Sequence, residues 1–474
     1  MKFNRTKIVA TIGPASESKE VLERMIDAGM NVCRINASHG NHAEQQKVID
    51  FIREINQEKN THVSLLYDLQ GPKIRIGMMR DNGVQLNEGD ELELTITECV
   101  GDEKRIFIKY PSFIKDIKTG DAILIDDGKF ELKVLSSNGI DAVKAKVIYG
   151  GKLSSKKGVN LPNTRITLPS LTDKDKVDLE FALSNNIDWV GLSFVRSAKD
   201  IEALKSIIKY KNCPTRVIAK IEKPEAVADL DNIISATDGV MVARGDLGVE
   251  VPMEQVPLIQ KIILNKCIAK SKPVIIATQM MESMITNQRP TRAEVNDVAI
   301  AVMDGADAVM LSAETSVGKD PVNVINSMWK IVNAVQKSDS IYNRILEPDK
   351  LSRTFVTDSI VFNACQMVNQ TDAKVIVTMT HSGYSAFKIA SHRPEADIVV
   401  FTDNRALLSL LSLVWGIRGY FYDKYESTDV NINDVKEIIK HEQIAFRGDH
   451  VIHVFSTPLH EKGRSNTIKL SVID

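Results

Sequence analysis

The sequence predicts an α/β protein: a (β/α)8 barrel with an inserted small β-barrel lid domain and a C-terminal open α/β domain. Three observations carry this. Eight short, β-branched runs alternate with longer helical patterns. One long interval interrupts them with period-2 stretches, and a second, smaller alternation begins after about Ser340.

The eight runs are Lys7–Thr11, Met30–Ile35, Val63–Asp68, Asp188–Ser193, Arg216–Ile221, Gly239–Ala243, Pro273–Thr278 and Ala306–Leu311. Their near-continuous apolar character suits parallel strands covered on both faces. Eight such units suggest a closed barrel, although an open doubly wound sheet is compatible with the same alternation.

From about Pro72 to Leu168 no long amphipathic helix is legible. Turn signals (Asn87-Glu88-Gly89-Asp90, Thr119-Gly120-Asp121, Asp127-Gly128, Asn138-Gly139) separate alternating stretches such as Val143-Lys144-Ala145-Lys146-Val147. An insert after the third strand sits over the C-terminal mouth of a barrel. There it can act as a lid that expels water, with Gly158–Pro162 as its exit hinge. The third unit offers strands at Lys374–Met379, Asp397–Thr402, Gly419–Tyr422, His450–Ser456 and Thr467–Ile473. The expected division is residues 1–71 and 169–340 for the catalytic barrel, 72–168 for the lid and 341–474 for the C-terminal domain.

Composition narrows the class of function. The 474 residues carry 60 basic and 62 acidic side chains, a net charge of −2, which gives no electrostatic case for nucleic acid or an anionic membrane. No apolar run reaches membrane-spanning length, and the N-terminus lacks a signal peptide's apolar segment, so a cytoplasmic protein is expected. Five scattered cysteines without a CxxC pair argue against a disulfide framework or a zinc site.

The chemistry concentrates at strand ends. The fifth run ends in Lys220-Ile221-Glu222 and the sixth in Ala243-Arg244-Gly245-Asp246. Two carboxylates and an ammonium suit a divalent cation beside a phosphoryl group, because metal and lysine together neutralise the transferring oxygens; buried ion pairs are the plain alternative. Gly245 lets backbone N–H groups approach an anion closely. Arg34, Asn36 and Ser38 alternate at the end of the second run, where a capping role for Ser38 or Asn41 competes with anion binding. Asp68 ends an apolar third run and needs a partner, for which Lys73 and Arg75 are the nearest cations in sequence. Thr278, at the seventh strand end, can donate to a carboxylate or support proton transfer. No P-loop, strand-following GxGxxG or histidine metal cluster occurs.

Taken together, these strings resemble the pyruvate kinase family. The resemblance rests on Lys7 through Ala15, Asn36 through Gly40, Lys156 through Pro162, Lys220-Ile221-Glu222, Met241 through Gly248 and Ala277 through Met284. It implies transfer of the phosphoryl group of phosphoenolpyruvate to ADP, giving ATP and pyruvate, the final ATP-forming step of glycolysis. By the same resemblance Glu222 and Asp246 bind Mg²⁺ (or Mn²⁺), and Lys220 stabilises the transferring group. Arg34 contacts the phosphate, while Thr278 and the backbone at Gly245 and Asp246 hold the pyruvate carboxylate. Arg75 and Lys157 meet the ADP phosphates when the lid closes, and Thr278 with water is a candidate proton relay to the enolate.

Many members bind K⁺ through groups corresponding to Asn36, Ser38, Asp68 and the Leu69 carbonyl. Here Lys73 stands where that branch has glutamate, so its ammonium is expected to replace K⁺ and make turnover K⁺-independent. In the C-terminal domain Thr380, His381, Ser382, Gly383 and Ser385 lie between a strand and a helix, and the resemblance implies a sugar-phosphate effector there, with Gly463-Arg464-Ser465-Asn466 closing over it. A homotetramer is likewise implied. The competing readings are a Mg²⁺-dependent lyase or aldolase acting on pyruvate enolate, and a catalytically silent metabolite sensor.

Overall fold

A computed structural model describes residues 2–162, 164, 166–344, 346–424, 427–457 and 464–474. Eight parallel strands close into a barrel: Lys7–Thr11, Val32–Asn36, Ser64–Asp68, Trp189–Leu192, Arg216–Ile221, Gly239–Ala243, Val274–Ala277 and Ala308–Leu311. Closure is made by the first and last, with Lys7 opposite Ala308 and Ala10 opposite Leu311. The open doubly wound alternative is thereby excluded. The strands are buried along almost their whole length, as their apolar runs require.

Local chemistry starts the outer helices where barrel loops must turn. Asn41 and Glu44 form a capping box on His42–Lys59; Thr172 with Asp175 and Thr291 with Glu294 do the same for Asp173–Ser184 and Arg292–Met303. Asn41 rather than Ser38 is therefore the cap after the second strand.

Between the third and fourth barrel strands lies a six-stranded sheet, with a separate pair formed by Val84–Leu86 and Gly151–Leu153. Its edges are Arg105–Phe107 and Val159–Asn160. Arg75 bridges to Gly158 at one edge and Ile76 to Ile108 at the other, so the chain leaving the barrel stitches the small sheet round upon itself. Its core, including Leu94, Ile106, Ile123, Leu132 and Val147, is separate from that of the large barrel.

The C-terminal unit is a five-stranded sheet in the order Ile417–Phe421, Asp397–Thr402, Val375–Met379, His450–Phe455 and Thr467–Val472, the last antiparallel. It packs on the N-terminal end of the large barrel: Val9, Leu66, Trp189 and Ile218 from the barrel interior share a core with Val361, Leu411 and Trp415. Among the described residues no helix is long and apolar enough to cross a membrane.

A buried ion pair holds this junction. Arg393 donates to Asp307 Oδ2 at 2.9 Å and to the Gly305 carbonyl at 2.8 Å, while Asp307 Oδ1 takes the Trp415 N–H at 3.1 Å. Removing one partner of such a pair leaves an unmatched charge. Arg393→Met is expected to cost about 3–5 kcal/mol, read as a lower urea midpoint. An unchanged midpoint would show that the junction does not depend on the pair.

Candidate active site

At the C-terminal mouth of the barrel, strand ends two, three and five build one charge cluster. Asp68 Oδ2 accepts from Arg34 Nε at 2.9 Å and Nη2 at 2.6 Å, and Lys220 Nζ lies 3.2 Å from Asp68 Oδ1 and 3.0 Å from Glu222 Oε1. Arg34 also donates to Thr11 Oγ1 at 2.7 Å; Lys220 donates to Ser193 Oγ at 2.7 Å, which passes the chain to the Leu69 carbonyl at 2.7 Å. Room for Asp68 comes from Gly191, the residue beside it on the fourth strand: a Cβ there would stand 3.0 Å from Asp68 Oδ1.

Burial pushes the Asp68 carboxyl up, but Lys220 and Arg34 outweigh burial and hold it below its ordinary value. Burial likewise lowers the Lys220 ammonium, yet Asp68 and Glu222 raise it well above the usual lysine range. Glu222 is raised, first by burial and then by the charge of Asp246, against the opposing pull of Lys220. Its Oε2 accepts the Phe194 N–H at 2.8 Å.

The sixth and seventh strands complete the mouth. Arg244 donates to both oxygens of Asp297 at 2.7 Å and to the Thr278 carbonyl at 2.7 Å, clamping the two strand ends together. Asp246 lies in the first turn of Arg244–Glu250, a helix that starts without a side-chain cap. Thr278 sits just beyond its strand at φ 69°, followed by Gln279 at 54°, a left-handed conformation costly for a β-branched residue. It aims the hydroxyl at the Gly245 N–H, which donates to Thr278 Oγ1 at 2.7 Å.

Two sequence expectations are corrected here. Asp68 is paired by Arg34 and Lys220, not by Lys73 and Arg75, because barrel closure brings neighbouring strand ends closer than residues a few positions along the chain. Lys73 does not stand among Asn36, Ser38, Asp68 and Leu69; its Nζ lies 3.8 Å from Asp246 Oδ1. Past Gly71 the chain already runs beside Gly158 at the base of the lid, which carries the ammonium toward the sixth strand. Among the K⁺-type groups, Asn36 Oδ1 accepts the Ser38 N–H at 3.1 Å, and the Leu69 carbonyl takes Ser193.

Arg75 and Lys157 meet at the lid exit. Arg75 donates to the Lys156 carbonyl at 3.1 Å, and Lys157 Nζ pairs with Asp126 at 2.9 Å. A cavity of about 590 Å³ beside Arg34 and Asn36 is lined by Ile12, Pro14, His39 and Val48. In the C-terminal unit Thr380 Oγ1 accepts the Gly383 N–H at 3.0 Å, His381 pairs with Asp403 at 2.8 Å, and Ser385 and Ser465 hydroxyls meet at 2.8 Å. Ser382 gives its carbonyl to Arg216 at 3.4 Å. Gly463, the start of the expected closing segment, lies outside the described residues.

Residues that sequence reasoning missed are Thr11, Ser193 and Arg244 as parts of the site, and the buried Lys223–Glu250 pair at 2.5 Å, to which lid-exit Asn160 donates at 2.8 Å. A single hydroxyl at a strand end has no signature of its own. Arg244 carried one, a cation beside Gly245 and Asp246 at the point of chemistry.

Among the described residues no three His, Cys, Asp or Glu side chains gather to hold a metal. Glu222 and Asp246 are two close carboxylates whose mutual charge raises one of them, a donor set fitting a cation that takes its other ligands from water and substrate oxygens. Mg²⁺ binds in that way.

A buried ammonium between carboxylates at the mouth of a (β/α)8 barrel is the equipment of an enzyme acting on an anionic small molecule. Comparison with known proteins specifies which. Residues 3–325 match the pyruvate kinase barrel domain and residues 358–471 the pyruvate kinase alpha/beta domain. The chain is 40% identical to the pyruvate kinase of Geobacillus stearothermophilus, over 99% of this chain and 80% of that protein. It is 41% identical to that of Corynebacterium glutamicum over 99% and 98%. The crystal structure of a pyruvate kinase from Cryptosporidium parvum superimposes with a TM-score of 0.92 at 33% identity, covering 99% of this chain and 96% of that one. The chain belongs to the pyruvate kinase family, phosphotransferases that use phosphoenolpyruvate and ADP. Neither the lyase or aldolase reading nor the silent sensor finds support in these relationships.

The Arg244 clamp generates a prediction. Arg244→Met leaves Asp297 unpaired and frees the turn that holds Thr278, so kcat should fall by about 10²-fold, the cost of misplacing reacting groups by an ångström. Steady-state kinetics on a variant shown to be folded would test it; wild-type kcat would remove the clamp from the account.

Proposed function

We propose that this chain transfers the phosphoryl group of phosphoenolpyruvate to ADP with Lys220 as the principal charge stabiliser. The observation carrying this is the buried ammonium 3.0 Å from Glu222 and 3.2 Å from Asp68, whose charges raise it above its ordinary value. Arg34, already oriented by Asp68 and Thr11, presents its guanidinium to the phosphate. Glu222 and Asp246 hold Mg²⁺, which when bound supplies further neutralisation of the phosphoryl oxygens. Thr278 Oγ1 and the N–H groups of Gly245 and Asp246 receive the carboxylate, the substrate replacing the bond that Gly245 makes to Thr278. The P–O bond to the enol oxygen breaks as one forms to the terminal ADP oxygen, and the enolate left behind takes a proton at carbon through the Thr278 hydroxyl and water.

The 590 Å³ cavity beside Arg34, with its apolar lining from Ile12, Pro14 and Val48, suits the base and ribose of ADP. Arg75 and Lys157 stand on the lid exit, and closure exchanges the Lys157–Asp126 pair for the nucleotide phosphates while excluding water. The loop of Thr380, His381, Ser382, Gly383 and Ser385 takes a sugar-phosphate effector, and the protein works as a cytoplasmic homotetramer. Family resemblance supports these last readings.

K⁺ is dispensable in this proposal. Asp68 is already matched by two internal cations and Lys73 adds a third beside Asp246, so no monovalent ion is needed to balance the mouth.

Mixing protein, Mg²⁺, phosphoenolpyruvate and ADP should yield pyruvate and ATP in equal amounts. Lys220→Met should lower kcat by about 10²–10³-fold with a much smaller effect on substrate binding. Pyruvate formed without ADP would defeat the proposal. Replacing K⁺ with a bulky organic cation should change the rate less than about tenfold, or 1.4 kcal/mol. A larger loss in the unaltered enzyme would refute K⁺ independence.

A further inference from the structure

The opposite end of the barrel holds a second polar cavity, of about 490 Å³, between the strand N-termini and the C-terminal unit. Arg216, the first residue of the fifth barrel strand, and Lys272, two residues before the seventh, both line it. Neither makes an ion pair among the described residues. The carboxylate acting on both is Asp238, which is already committed: its Oδ1 takes Lys205 Nζ at 2.7 Å and its Oδ2 the Val217 N–H at 3.0 Å. Three cations share one carboxylate.

The other acidic groups at the cavity do not redress this. Asp358 accepts from the Tyr384 hydroxyl at 2.7 Å and the Thr354 hydroxyl at 3.0 Å, with Lys388 at 3.7 Å. Glu347 and Asp349 stand exposed at the rim. Meanwhile the two cations keep donors to spare. Arg216 lies over the Phe387 ring, 4.6 Å from its centroid, with one long bond to the Ser382 carbonyl at 3.4 Å. Lys272 uses one proton, on the Thr237 carbonyl at 2.6 Å. Burial lowers the pKa of both, the signature of cations held away from water without a matching anion.

We propose that this interdomain cavity binds a small phosphorylated ligand, its phosphoryl dianion held between Arg216 and Lys272. A guanidinium presents paired N–H donors to phosphate oxygens and an ammonium a compact charge, and the volume leaves room for a body of sugar size. Of the five effector-loop residues, Ser382 alone lines this cavity, giving its carbonyl to Arg216. On helix Tyr384–Ser391, Tyr384, Phe387 and Lys388 share the face that lines the cavity, whereas Ser385, a hundred degrees round the helix, bonds to Ser465. The strand that begins at Arg216 ends at Lys220 and Glu222, so a ligand here acts on the catalytic strand from its far end.

Equilibrium dialysis of the full chain against labelled inorganic phosphate tests the site. Lys272→Met and Arg216→Gln should each weaken one class of bound phosphate about tenfold or more, while Lys272→Arg and Ser385→Ala retain it. Should Arg216→Gln fail to fold, the Lys272 variants decide alone. Glycerol 3-phosphate that displaces the label identifies an ester as the occupant, and label that stays identifies the free ion; both outcomes keep a phosphoryl site. Unchanged binding in Lys272→Met, or loss confined to Ser385→Ala, overturns the proposal.

Discussion

The site depends on the mutual compensation of Asp68, Arg34, Lys220 and Glu222. Each of these side chains is almost fully buried, and each alone would carry a desolvation cost of several kcal/mol. They are tolerated because three strand ends deliver them to one point with opposite signs in contact. Gly191 clears the space for Asp68, and Ser193 and Thr11 take up donors that the carboxylates leave free. The resulting field is fixed before any substrate arrives, which is the condition under which an ammonium stabilises transferring charge without reorganising.

Around that cluster the backbone is held out of its comfortable range. Phe194, Thr278 and Gln279 all have φ near 54–69°, and all lie immediately after barrel strands. Two of them orient a group the site uses: the Phe194 N–H meets Glu222, and the Thr278 hydroxyl meets the Gly245 N–H. The Arg244 clamp to Asp297 and the Thr278 carbonyl keeps this strained turn in place. Rigidity at the barrel mouth contrasts with the lid exit, where Lys157 and Arg75 are held by contacts that a phosphate can replace.

Much of this was legible in the residues. The eight barrel strands were located to within two residues at either end, because buried parallel strands write continuous apolar runs. Lys220, Glu222 and Asp246 stood out because a charge ending such a run is costly unless it has a purpose. The partners of Asp68 were misjudged for a physical reason. Sequence proximity favoured Lys73 and Arg75, but a closed barrel places residues from strands two, three and five within hydrogen-bonding distance although more than thirty positions separate them. The role of Lys73 shifted with it, from filler of a cation site to neighbour of Asp246.

The order of apolar runs, turn signals and terminal charges therefore determined by itself that this is a three-part α/β enzyme with its chemistry at strand ends. Those features are local, and each residue type carries its own energetic demand wherever the chain goes. Tertiary structure alone decided which charge meets which, that Thr278 adopts a left-handed conformation, and that Arg216 and Lys272 come together at a domain junction. These are distances between remote segments, and barrel closure and domain packing set them only once every run has found its neighbour.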